Sequence, residues 1–432
     1  MTSEVVIMNK EAIALAADSA VTMEIGEDRK IKTSANKLFA LSKYHPVGLM
    51  VYGDAVFMGV PWETIIKIYR NKLSKEKFDT LEGYAENFIE FLDKDNPLFL
   101  DSVQKWYVQG FVFFMFEAIK EDIEEEVKSN IPEQGTITEN EIEKIIQRNI
   151  SKHYEIWQKT DNIPSLPDSF NKSIPVKYKK IIDKALKEIF GKLPLSRGDK
   201  IKLKKIAESL FSKYPEDIPG DLFSVSGIVI AGFGEEDPFP TQISYDIDGV
   251  ANNRLKYKAD EPIKIGVETV NSHISAFAQR KMVYQFMEGI DPDLHDYMAG
   301  YLSELFDKYP EIILNKIGKN VKKNKTLIEQ LKQASNDLFE EYQEKFRTFR
   351  NEIYSDPIME MVTYLSKSEL AEMAESLVYL TSFKQKVTME SETVGGPIDV
   401  AVISKGEGFI WIKRKHYFEA ELNPQFLAKY YM

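Results

Sequence analysis

The chain has 432 residues, 43% hydrophobic and 12% aromatic, which is enough to bury a substantial core and excludes global disorder. Its formal net charge of −12 argues against nonspecific nucleic-acid binding, which needs a basic surface. The absence of cysteine excludes a disulfide framework, a thiolate metal site and a cysteine nucleophile, and His45, His153, His273, His295 and His416 never approach the spacing of a helical zinc motif.

The opening residues carry neither a basic segment nor a long apolar run, so we expect no signal peptide and a cytoplasmic protein. Residues 3–8 and 11–17 read as two strands around a turn at Asn9-Lys10. The run Ile13-Ala-Leu-Ala-Ala17 is small and nearly free of alternation, which suits a strand buried on both faces. Residues 24–30, with Gly26, read as a polar loop. A second strand pair is expected at 37–41 and 47–52, ended by Gly53-Asp54. Pro61-Trp62 then opens a helix to about Leu73, with proline in its first turn.

From 79 to 219 strand signals vanish and charged helical segments follow one another. The most apolar stretch, 110–116 (GFVFFMF), is too short to span a bilayer and reads as a buried helix face. Thr138 and Glu141 form a capping-box pattern ahead of a helix to about Lys159. The three prolines in 163–175 indicate a connector, and helices are expected at 177–191 and 196–213. Strands return at 223–233, 242–247 and roughly 253–258, with a hairpin-turn signal at Asp248-Gly249.

Residues 273–289 read as a helix, and a second helical stretch covers 291–387. Its charge runs at 319–351 are those of a solvated face, and Ser366 with Glu369 caps a helix starting at Lys367. Two last strands are expected at 398–404 and 408–413. There is no internal repeat. Strands grouped away from helices indicate an α+β protein with antiparallel sheets rather than a doubly wound parallel sheet.

The chemistry-bearing candidates lie early. A Thr2 exposed by removal of Met1 would carry a free α-amine with a reference pKa of roughly 7.7–8.0, able to take the proton from its own hydroxyl. By position alone Thr2 reads as an ordinary N-terminus. Lys37 opens an apolar strand, and Asp18 follows a small-residue strand that another backbone can approach closely. An ammonium near Thr2 lowers the pKa of its amine and hydroxyl, and a carboxylate keeps that ammonium charged and in place. The bland alternative is a surface salt bridge worth about 0–1 kcal/mol. Gly53, at a strand end, offers an unshielded N–H for an oxyanion, or simply ends the strand.

Taken together, Thr2, Leu15-Ala-Ala-Asp18-Ser19, Lys37-Leu-Phe and Gly53-Asp54-Ala55 resemble the opening of a proteasome-type N-terminal-nucleophile (Ntn) hydrolase. The segments 226–232, 245–249 and 394–403 resemble its central strand, its hairpin and its closing strand. The resemblance covers somewhat under half of the chain. It implies an α-β-β-α four-layer sandwich of antiparallel sheets, here one domain over 1–432 with helical insertions at 79–219 and 291–365. It also implies Thr2 as nucleophile, Asp18 and Lys37 as its electrostatic partners, and Gly53 as oxyanion donor. Ser275 falls where the family has a Gly-Ser-Gly-type turn, although the flanking glycines are missing. Where the family has Asp followed three residues later by Ser, this chain has Glu392 and Gly395, one methylene longer and lacking the hydroxyl. The implied activity is peptide or amide hydrolysis through an acyl-enzyme, with no metal or organic cofactor. The implied partners are further copies in a homo-oligomer and a peptide or protein substrate, with no nucleic acid or membrane. The alternatives are a catalytically silent proteasome-like scaffold and a small-molecule amidase; whether a regulatory ATPase takes part is not legible.

Overall fold

A computed structural model of the protein describes residues 3–25, 28–94, 96–131, 137–167, 169–215, 226–266, 270–317, 325–388, 394–416, 418–425 and 428. In chain order, β1 (Ser3–Asn9) and β2 (Ile13–Ala17) precede the strands β3 (Val21–Ile25) and β4 (Asp28–Lys32). Next come β5 (Leu38–Ala40), β6 (Val47–Tyr52) and the short β7 (Val56–Phe57) and β8 (Val60–Pro61). Helices α1 (Trp62–Leu73), α2 (Leu81–Leu92), α3 (Asp101–Ser129), α4 (Glu139–Lys159), α5 (Phe170–Lys177), α6 (Lys179–Phe190) and α7 (Arg197–Ser209) follow. Strands return as β9 (Ser226–Gly232), β10 (Thr241–Ala251), β11 (Arg254–Ala259), β12 (Ile263–Lys264) and β13 (Ser272–Ala278). The last third holds α8 (Lys281–Glu288), α9 (Pro292–Lys316), α10 (Lys325–Arg350), α11 (Asp356–Tyr364), α12 (Lys367–Val387), β14 (Asp399–Ser404) and β15 (Gly408–Lys413). The protein is thus mixed α+β, and the strand pairings of its sheets are antiparallel. Among the described residues no helix is long and apolar enough to cross a membrane.

The chain divides into two compact units. The first comprises 1–38, 238–241 and 264–432. Its sheet has the order β13-β1-β2-β14-β15, which places the two opening strands at the centre. One face, formed by Val5, Ile7, Ala14 and Ala16, packs on Leu370, Ala374, Leu377 and Val378 of α12. The alanines matter because a short side chain lets the helix lie close to the sheet. The opposite face, with Val6, Met8 and Leu15, is also fully buried, so β1 and β2 are covered on both sides as their composition demands. A capping box at Ser366 and Glu369 starts α12.

The second unit comprises 39–237 and 242–263. Its sheet follows β11-β10-β9-β6-β5, and α1 and α2 pack on it through Trp62, Ile65, Tyr69, Tyr84 and Phe88. Helices α3–α7 build a separate core around Val112, Phe116, Trp157 and Phe190. The capping box of α4 closes between Thr138 and Glu141 as expected.

Four local expectations are corrected. The hairpin turn expected at Asp248-Gly249 falls instead at Asn252-Asn253, both with positive φ: β10 runs through Asp248 and Gly249 to Ala251, and the register shift between Ile247 and Gly249 takes up the irregularity. Residues 273–289 are not one helix: β13 runs to Ala278 and α8 begins only at Lys281. Ser-His-Ile-Ser-Ala-Phe-Ala pairs along its length with β1, and strand pairing outweighs its modest helical pattern. The expected polar loop at 24–30 largely belongs to the hairpin arms β3 and β4, paired from Val21↔Lys32 to Ile25↔Asp28, while Gly26 lies outside the described residues. The connector at 163–175 contains the start of α5, whose Pro175 is accommodated inside an eight-residue helix.

Candidate functional site

The site of interest is built at one end of β1. β1 and β2 pair in the register Glu4↔Ala17, so Asp18 emerges beside Ser3, the residue that follows Thr2. The Asp18 N–H donates to the Ser3 carbonyl at 3.1 Å, and the Ser3 N–H donates back to Asp18 Oδ1 at 3.1 Å. Residue 18 is therefore clipped to residue 3 in both directions. Lys37, immediately before β5, donates from Nζ to the same Oδ1 at 2.6 Å. Both side chains are buried, with 5% and 0% of their surfaces exposed. This is not the exposed salt bridge of the bland alternative, whose value would be small. Burial pushes the Lys37 ammonium below the ordinary lysine range, while the Asp18 and Glu4 carboxylates oppose that shift.

Asp18 also accepts two further backbone N–H groups at Oδ2, from Ala20 at 3.1 Å and from Gly395 at 2.8 Å. Four donors thus surround one buried carboxylate and fix its rotamer. The Gly395 contact spans 377 positions of sequence. It belongs to a strap, Gly395-Gly396-Pro397, laid across Ser19. The Ser19 N–H donates to the Gly395 carbonyl at 3.2 Å, and the Ser19 hydroxyl donates to that of Pro397. Gly396 has φ of +79°, and a Cβ there would lie 2.8 Å from Thr33 Cβ, so both backbone shape and space require glycine. Gln385 of α12 holds the start of the strap by accepting the Val394 N–H at 2.8 Å.

No protein-family model and no curated protein matches this chain. The geometry therefore carries the functional reading.

Sequence reasoning passed over two features of this site. Glu4 is fully buried, and among the described residues neither carboxylate oxygen has a hydrogen-bond partner. Burial pushes its pKa up to about 8, opposed by the Lys37 charge and reinforced by Asp18. Its signal was present as a lone charge in the otherwise apolar Glu4-Val-Val-Ile-Met8. The second feature is Asp399, also buried, which accepts both the Lys415 N–H and its ammonium. Paired residues share a face, so Phe277, Glu4, Ala17 and Asp399 form one row across four strands.

The remaining predicted residues are placed as follows. Thr2 and Glu392 lie outside the described residues. Ser275 sits within β13 opposite Val6, in a strand and not in a turn, because the strand continues to Ala278 opposite Ser3. Ala278, with φ of +60°, is where the chain bends away toward α8. Gly53 belongs to the second unit, where it follows β6 with φ of +81°, a conformation that favours glycine. Gly395 takes part through its backbone N–H, for which no side chain is required.

Proposed function

We propose that the protein is an Ntn hydrolase of the proteasome type, with the corresponding four-layer sandwich, that cleaves peptide or amide bonds through an acyl-enzyme on Thr2 after Met1 is removed. The observation that carries this reading is the buried Asp18–Lys37 pair clipped to residue 3. A structural ion pair has no need to be tied to the first strand residue. A nucleophile at residue 2 does, because the activating ammonium must keep a fixed distance from it.

In this mechanism the Thr2 α-amine takes the proton of the Thr2 hydroxyl, and Oγ attacks the amide carbon. The Oγ–C bond forms, the C–N bond breaks, and the proton on the α-amine leaves with the departing amine. Water then attacks the ester, releasing the acid and restoring the Thr2 hydroxyl. Lys37 stabilises the anionic character that develops on Oγ and keeps the α-amine unprotonated. Asp18 is a positioning residue: it holds Lys37 and the residue 3 backbone as one body. A homo-oligomer belongs to the same reading and is checked by sedimentation.

The test is intact mass followed by activity. The mature protein is expected to lack Met1, a Thr-directed epoxyketone is expected to add to Thr2, and Thr2→Ala is expected to abolish hydrolysis while leaving the unfolding midpoint unchanged. Retention of Met1 in protein that still hydrolyses peptides would falsify the mechanism.

A further inference from the structure

The second unit contains a cavity of about 680 Å³, within the size range of small-molecule sites. One wall is a stripe of α3. Val103, Trp106, Tyr107, Gly110, Phe111 and Phe114 recur at helical spacing and face the same space. The opposite wall is the turn between β7 and β8, where Met58 and Gly59 both have positive φ, 50° and 80°. That wall is stiffened by Phe57, which stacks on Trp62 at 4.9 Å and meets Phe99 edge-on at 5.1 Å. None of these residues belongs to the cluster around Asp18.

Two observations distinguish the cavity from incomplete packing. The helix already has a buried face, Val108, Val112, Met115 and Phe116, yet Trp106 is 76% exposed and Phe114 49% exposed on the other side. Large aromatic rings left open to water on one rigid wall are costly unless a ligand covers them. In addition, Gly110 lies between them, and a Cβ there would meet nothing within 4 Å. Glycine costs an exposed helix interior about 0.5–1 kcal/mol relative to alanine, so its presence keeps space open rather than aiding the helix.

The polar groups define the occupant. Ser226 and Asp248 lie at the cavity, and Asp54 stands at the lip. Asp248 is neutralised by Lys256 at 2.8 Å, and the Lys256 ammonium also donates to the Leu210 carbonyl and lies over the Tyr214 ring at 4.2 Å. Among the described residues the lining contains no lysine, arginine or histidine, so none of them favours an anion. Burial and the Asp248 carboxylate raise the Tyr107 hydroxyl far above its ordinary range, leaving it a neutral donor.

We infer that this cavity is a binding site for a neutral amide or peptide bearing aromatic or bulky apolar side chains, whose N–H groups meet the polar end while its rings lie on α3. The inference rests on the residues of the second unit and not on the Thr2 chemistry.

Titration calorimetry on the full chain tests this, with N-acetyl-Phe-Leu amide and N-acetyl-Glu-Glu amide as probes. The aromatic amide is expected to bind wild type and Thr2→Ala alike, and the acidic amide at least tenfold more weakly. Gly110→Phe, whose Cβ enters open space, is expected to weaken the aromatic amide at least tenfold at an unchanged melting temperature. The exposed Trp106→Ala is the second variant and is expected to weaken binding as well. Unchanged affinity in both variants, absence of binding to wild type, or preference for the acidic amide overturns the inference. Since binding is read in Thr2→Ala, a failure of the hydrolase reading leaves this result interpretable by itself.

Discussion

Lys37 and Asp18 neutralise one another in a place where neither charge alone is tolerable. Replacing Lys37 with methionine leaves Asp18 with three backbone N–H donors and removes the ammonium bonded to it. We expect a loss of about 3–5 kcal/mol in denaturant unfolding, the usual consequence of stripping one partner from a buried pair. Hydrolysis, assayed at a denaturant-free temperature where the variant stays folded, should fall by at least about 10²-fold. Glu4 makes the opposite kind of prediction. Its folded pKa of about 8 lies above the reference value of 4.5. Below the reference value both states hold the proton and no stability is lost. As pH rises from there through about 8, the unfolded chain releases a proton that the folded chain keeps, so stability falls by up to about 1.4 kcal/mol per pH unit. Glu4→Gln should flatten this slope in urea titrations at pH 5, 7 and 9. An unchanged slope would show that Glu4 finds a partner for its charge.

The strap 395–397 is the element that completes the Asp18 environment. It is short, rich in glycine, and held by Ser19 on one side and Gln385 on the other. Gly396→Ala forces a Cβ against Thr33 at positive φ. The expected cost is about 1–3 kcal/mol, together with displacement of the Gly395 N–H from Asp18. Amide exchange at Gly395 reports this directly: it should be slow in wild type and faster in Gly396→Ala. The helix α12 contributes through the same device, since its buried face packs on β1 and β2 while Gln385 reaches the strap.

At the scale of the molecule, each unit has its own core and a fully buried ion pair, Asp18–Lys37 in the first, beside Asp399–Lys415, and Asp248–Lys256 in the second. Lys256→Met is therefore expected to destabilise the second unit by about 3–5 kcal/mol. Hydrogen exchange should show the loss in β10, β11 and the helical core around Phe116 and Trp157. Protection of the Ser3 and Gly395 amides is the internal control for the first unit. The apolar run at 110–116 acquires its meaning at this scale too. It is buried on one face of α3, as composition indicated, but its other face is open and lines a cavity.

By itself the sequence determined what local physics can carry. Both opening strands, the capping boxes of α4 and α12 and the grouping of strands apart from helices follow from periodicity and hydrogen-bonding residues within a few positions of one another. Asp18 and Lys37 were legible for the same reason, each being a charge at the edge of a short apolar strand. Only the tertiary structure decided the rest. A charge in Glu4-Val-Val-Ile-Met8 becomes a fully buried acid only once both faces of β1 are covered. Gly395 enters the site as an N–H, which no side-chain pattern announces, from 377 positions away. Ser275 reads as helical from the sequence and matches a turn in the family it resembles, whereas its strand β13 is defined by pairing with β1, an interaction between segments far apart in sequence. Burial and long-range hydrogen bonding depend on which surfaces meet, and that information is spread over the whole chain.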